Sequence, residues 1–205
     1  MKHPSYGLRD VAFNAEQNQV IVVASDVTVG SMVKKVLSFS WLFKKKSDKD
    51  TVADCACVES FPFSIKEGKL VIGEESALRL TFKVHAICIE YCPVSNTLLV
   101  GLEDGTIMGF EVSPDWRTNQ IADYRPQKKR CVAMAIDSQR GLVFSINQGP
   151  HLNVYDYKKK QLLSENVIAS EGLSFMILTA DKTKAIVADN SGAISIFDLS
   201  KVVKG

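Results

Sequence analysis

Three 28-residue stretches of this chain superpose without a gap, and that self-similarity limits the fold more than any other feature. The first, "AICIEYCPVSNTLLVGLEDGTIMGFEVS", begins at Ala86. The second, "CVAMAIDSQRGLVFSINQGPHLNVYDYK", begins at Cys131, and the third, "LSFMILTADKTKAIVADNSGAISIFDLS", at Leu173. Tyr91, Ile136 and Leu178 fall together, as do Leu98-Leu99-Val100, Val143-Phe144-Ser145 and Ala185-Ile186-Val187. The aromatics Phe110, Tyr155 and Phe197 coincide, each followed by an acid (Glu111, Asp156, Asp198). The starts lie 45 and 42 residues apart, a period that marks a propeller-type array.

Within each unit the apolar runs are short and separated by turn residues, as in antiparallel hairpins. A run such as "AICIEY" meets a turn, "TLLVG" reaches a glycine turn, and "TIMGFEV" follows. The 17 and 14 residues between units leave room for one more strand each, "QIADYRP" and "QLLSENV". Four antiparallel strands make one propeller blade. No helical period persists over ten residues anywhere in this region. The expected fold is therefore all-β, with about five four-stranded blades. Three regular blades are expected over 86–130, 131–172 and 173–205. Two less regular ones are expected over 8–57 and 58–85. In the first, Phe13 and Val20-Ile21-Val22 take the template positions, and an insertion surrounds "KKKSDKD". In the second, Leu70-Val71-Ile72 and Phe82 take them, with the outer strand missing or rearranged.

An aromatic followed by an acid at the end of a glycine-turn strand resembles the WD-repeat β-propeller pattern. Tyr155-Asp156 and Phe197-Asp198 stand in that place, with Phe110-Glu111 a weaker match. The string "YCPVSNTLLVGLEDGTIMGFEVSPD", taken with the next unit and "DNSGAISIFDL", is similar to the propeller of the WD-repeat-and-FYVE-domain proteins. The resemblance covers Ala86 to Ser200. It implies a non-catalytic scaffold for protein–protein interaction. The family's zinc-binding FYVE module is not implied here, because five Cys and three His lie scattered through the chain. None of the three regular units has Trp at the aromatic position.

A blade buries both faces against its neighbours, so an array that does not close leaves two faces bare. If each exposes roughly 400 Å² of apolar surface, each forfeits about 10 kcal/mol. That rivals the whole stability of a domain, about 5–15 kcal/mol. At about 41 residues per blade, the 205 residues suffice for five blades. The chain must close at five, recruit blades from a partner, dimerise, or belong to a longer protein. A partial propeller completed by another chain or by further sequence is the favoured expectation.

The net charge of +2 argues against a chain that coats nucleic acid. No window approaches eighteen consecutive apolar residues, and "MKHPSYGLRD" has no signal-peptide core. The five cysteines, odd in number, are expected to be reduced core thiols of a cytoplasmic protein. No phosphate loop, zinc helix or nucleophile elbow appears, so neither an enzyme nor a cofactor is expected. The partner-binding candidates are Trp116 with Arg117, and the basic run Arg125, Lys128, Lys129, Arg130. Trp and Arg dominate interface energetics, although Trp116 also suits packing on its own blade. A second function class is a membrane-surface adaptor. In it Trp41 and Phe43 dip into a bilayer while Lys44, Lys45 and Lys46 meet anionic headgroups, at about 1 kcal/mol per lysine. A third is a subunit of a large assembly that completes the propeller.

Overall fold

In a computed structural model the described residues are 6–26, 55–124 and 129–201. They fold as sixteen β-strands and one short 3-10 turn, arranged in four antiparallel sheets of propeller-blade type. The chain divides into two compact units, residues 1–86 and 87–205.

The second unit holds the regular repeats. Its first blade comprises β6 (Ala86–Cys92), β7 (Thr97–Leu102), β8 (Ile107–Val112) and β9 (Thr118–Tyr124). The next comprises β10 (Cys131–Asp137), β11 (Leu142–Asn147), β12 (His151–Asp156) and β13 (Gln161–Val167). The last comprises β14 (Leu173–Leu178), β15 (Lys184–Asp189) and β16 (Ile194–Asp198). Each blade pairs its strands in chain order. The expected outer strand "QLLSENV" is β13, and the described part of "QIADYRP", residues 120–124, lies on β9.

Register confirms the repeat residue by residue. The aromatic of the third strand lies opposite the equivalent second-strand residue in every blade: Phe110 with Leu98, Tyr155 with Val143, Phe197 with Ala185. A bulge falls at Gly109/Phe110 in one blade and at Val154/Tyr155 in the next. Another recurs near the first-strand start, at Cys131/Ala133 and at Leu173/Phe175. Bulges raise local twist, and each of these recurs in two successive blades.

Strand alternation sends side chains to two faces. We call face A the one carrying Cys131, Met134, Ile136, Val143 and Tyr155 in the middle blade, and face B the one carrying Ala133, Ala135, Phe144, Ile146, Leu152 and Val154. Face A packs into a core with Cys88, Leu99, Ile107 and Tyr124 of the preceding blade. Face B packs into a second core with Leu173, Met176, Ala185, Val187 and Leu199 of the following blade. Gly101 sits in the first of these seams. A Cβ there would come within 2.6 Å of Cys88 Sγ and 2.8 Å of Cys131 Sγ, so glycine allows a close approach that no other residue fits.

The first unit differs from the expected division. Its single sheet runs β1 (Tyr6–Asn14), β2 (Gln19–Asp26), β3 (Ala56–Lys66), β4 (Lys69–Ile72), with β5 (Leu78–Phe82) also on β3. The boundary expected at 57/58 runs through β3, so the described residues 6–26 and 55–82 form one blade where two were expected. Phe13 lies opposite Val20, and Val20 opposite Phe61, the pairing that Ile136, Val143 and Tyr155 show in the second unit. Phe61 therefore holds the template aromatic position, and Phe82 lies on β5. The inserted residues separate β2 from β3, which shifts the third strand out of the sequence period. Beyond Phe61, β3 continues into a hairpin with β4, pairing Phe63 with Ile72 and Ile65 with Leu70.

Candidate interaction surfaces

The turns of the second unit gather at two opposite ends of its blades. One end carries the connections into each first strand and those between second and third strands. There Gln148 N donates to Arg130 O (2.9 Å), Leu173 N to Gly149 O (3.1 Å) and Asn190 N to Gly172 O (2.8 Å). Lys129 and Arg130 belong to this end. The Lys129 amine lies over Gly149, where a Cβ would come within 2.9 Å of its Nζ. Arg125 and Lys128, of the same basic run, lie outside the described residues.

The other end carries the turns between first and second strands and between third and outer strands. Trp116 and Arg117 belong here, so the structure separates the two groups of partner-binding candidates. It also withdraws Trp116 as an exposed anchor. Residues 113–117 form a tight loop in which Trp116 N donates to Ser113 O (2.9 Å) and Ser113 N to Arg117 O (2.9 Å). Trp116 adopts a left-handed backbone, φ 62°. That bend turns the indole back on its own blade, where it is buried with its ring 6.2 Å from the Tyr91 ring. Arg117 stays exposed and pairs with Asp115 at 3.0 Å.

The same end holds a polar clasp across two blades. The buried Asp137 carboxylate accepts from Arg140 Nε (2.5 Å) and from the backbone N–H groups of Gln139 and Arg140 (3.1 Å each). Arg140 Nη2 then donates to Lys182 O (2.6 Å), and Lys182 Nζ to Ile136 O (2.9 Å). Burial opposes ionisation of Asp137, but the Arg140 hydrogen bonds and charge outweigh it and hold the carboxyl below the usual aspartate range. The buried aromatics behave oppositely. Burial, followed by the charge of Asp156 and then of Tyr157, pushes the Tyr124 phenol up to about 12. Its ring stacks 4.8 Å from Tyr155, as a packing group.

One apolar surface among the described residues is a sheet face. Phe175 and Ile177 of β14 and Ile194 and Ile196 of β16 are exposed, Ile194 and Ile196 to 73% and 66%. Ile177 lies opposite Ile186, and Ile186 opposite Ile196, so these residues form one continuous face. It is face B of the last blade. Forty-two residues earlier, its equivalents Leu152 and Val154 are fully buried. The residue types are apolar in both blades, so composition does not mark the difference. In the first unit, face A of β1 is likewise open at Leu8, Val11 and Phe13.

Trp41, Phe43, Lys44, Lys45 and Lys46 lie outside the described residues. None of the five cysteines is in a disulfide, and four of them are buried. Among the described residues no cluster of His, Cys, Asp and Glu could hold a metal, and no helix is long and apolar enough to cross a membrane.

No protein-family model matches the chain, and no curated protein matches it. Solved structures do. The computationally designed Ika4 protein is similar with a TM-score of 0.62 at 10% identity, over 97% of this chain and 94% of that one. The computationally designed Ika8 protein is similar with a TM-score of 0.59 at 12% identity, over 93% of this chain and 45% of that one. This chain thus spans less than half the length of Ika8. At such identities the likeness concerns the fold.

Proposed function

We propose that the chain is a non-catalytic protein–protein interaction scaffold of WD-repeat type, akin to the propellers of the WD-repeat-and-FYVE-domain proteins. The observation that carries this reading is the bare face B of β14–β16. A continuous exposed apolar face of this kind marks a contact site in a folded protein, and rigid blades hold it in one shape. The two loop ends, with Arg117 on one and Lys129 on the other, add charged groups that steer a partner and set its orientation. The form of the function is a subunit whose blade array is completed by another protein.

Site-specific photo-cross-linking in the source cells tests it. A cross-linker at position 196 is expected to capture defined proteins, and one at the solvated Glu111 is not. Cross-linking to no protein from position 196 overturns the proposal.

A further inference from the structure

The seam between the first and middle blades of the second unit holds two thiols side by side. Cys88 lies on β6 and Cys131 on β10, and their Sγ atoms are 3.8 Å apart. Cys88 Sγ also lies 4.0 Å from Cys131 O. Both residues are buried and belong to one apolar core. Gly101 gives the sulfurs their room, because a Cβ there would press on both of them.

The next seam shows that the fold does not require this arrangement. Counted from the repeat starts, Cys88 corresponds to Ala133, Gly101 to Ile146 and Cys131 to Leu173. Those three positions carry hydrocarbon within a single core. Of two equivalent seams, one thus has two thiols and a glycine where the other has Ala, Leu and Ile. Cys92 ends the same strand as Cys88, but four residues of strand rise set it about 13 Å further along. Cys55 and Cys57 belong to the first unit.

We propose that Cys88 and Cys131 are a redox couple, which hydrogen peroxide converts into a disulfide that locks the first blade to the middle one. The sulfurs must close from 3.8 Å to the disulfide length of about 2.05 Å. Hydrogen peroxide is small and reaches a buried seam through local opening. One thiol gives its proton to water, and its sulfur attacks a peroxide oxygen. The O–O bond breaks, hydroxide leaves and takes up that proton as water, and a sulfenic acid forms. The second sulfur attacks the sulfenic sulfur, the S–S bond forms and the S–O bond breaks. The departing oxygen takes the second thiol's proton and leaves as water. Both sulfurs are oxidised, and the peroxide is reduced to two waters. The bond joins residues 43 positions apart, so it restrains most of the first blade in the unfolded chain. The proposal goes beyond the scaffold reading and does not depend on it: it makes the stiffness of the blade array respond to redox state.

Non-reducing peptide mapping of the full chain after treatment with hydrogen peroxide tests this. The tryptic peptide that holds Cys88 is expected to be joined to the one that holds Cys131. The intact mass is expected to fall by two hydrogens, and dithiothreitol to restore it. Thermal unfolding of the oxidised chain is expected roughly 5–15 °C above that of the reduced chain. Cys88→Ala, which matches the residue at the same position of the next seam, is expected to abolish both the bond and the shift. Cys88 and Cys92 share a tryptic peptide, so Cys92→Ala, expected to keep both, assigns the bond to Cys88. Four results overturn the proposal: no bond between the two peptides, a bond lost in Cys92→Ala, an oxidised chain no more heat-stable than the reduced one, or the same thermal shift in Cys88→Ala. If circular dichroism shows Cys88→Ala unfolded, the map and the thermal shift of the unmodified and Cys92→Ala chains decide.

Discussion

The blades β10–β13 and β14–β16 are two copies of one template with opposite fates. Their registers agree, their first-strand bulges coincide, and their third strands end in Tyr155-Asp156 and Phe197-Asp198. Yet Leu152 is fully buried and Ile194 is 73% exposed. Apolar character in a strand therefore does not by itself report burial here. It reports what a face is built to meet, and only the neighbour decides whether the meeting takes place in the chain itself. The same hydrophobic pattern is a core in one blade and a contact surface in the next.

Charge insertion at equivalent positions breaks this comparison most forcefully. Val154→Glu places an unpaired carboxylate in a sealed seam and is expected to cost about 3–5 kcal/mol, enough to unfold the second unit. Ile196→Glu, at the same template position, is expected to leave the unfolding free energy of the unit within about 0.5 kcal/mol of the unmodified chain. Equal losses in urea titrations of the two would show that the two faces are not different.

A smaller effect sharpens the role of the seam between the first and middle blades. Gly101→Ala forces a methyl against Cys88 and Cys131 and is expected to cost about 1–3 kcal/mol by overpacking. Gly192, on the turn of the last blade, has open space for 4 Å around the position a Cβ would take, but it holds φ 86°. Its replacement by Ala strains the backbone alone, by about 1 kcal/mol. Thermal unfolding of the two variants is expected to rank Gly101→Ala as the more harmful.

The clasp sets a pH limit on the joint between the last two blades. The folded Asp137 carboxyl lies below its unfolded range, so its contribution is present above about pH 4, the usual aspartate value. It is lost as the pH falls through the depressed folded value. Asp137→Asn is expected to cost about 1–2 kcal/mol at neutral pH and to flatten this acid limb of the stability curve. An unchanged acid limb in denaturant titrations of Asp137→Asn would detach Asp137 from the joint.

The second unit was legible in the sequence because the spacing between second-strand and third-strand residues is constant, which fixes register through the period-two alternation of strands. The first unit was obscured by inserted residues. They push Phe61 away from its template spacing and leave Phe82, on β5, as the better apparent match. Pro62 also replaces the acid that follows the aromatic elsewhere. Trp116 illustrates a different limit. Its fate depends on a left-handed turn, which a sequence pattern does not encode for a tryptophan. The separation of Trp116-Arg117 from Lys129-Arg130 needed strand direction as well as strand identity. That an unclosed array leaves blade faces bare was legible from the repeat, but which face is bare was not, because only its neighbour decides it.

The most direct test of a blade sealed on one copy and bare on the next is the paired truncation of Leu152 and Ile194, measured by denaturant unfolding at low protein concentration. Leu152→Ala is expected to lose about 2–5 kcal/mol through lost burial and a cavity, and Ile194→Ala no more than about 0.5 kcal/mol. Comparable losses at the two positions would contradict the division into a sealed and a bare face.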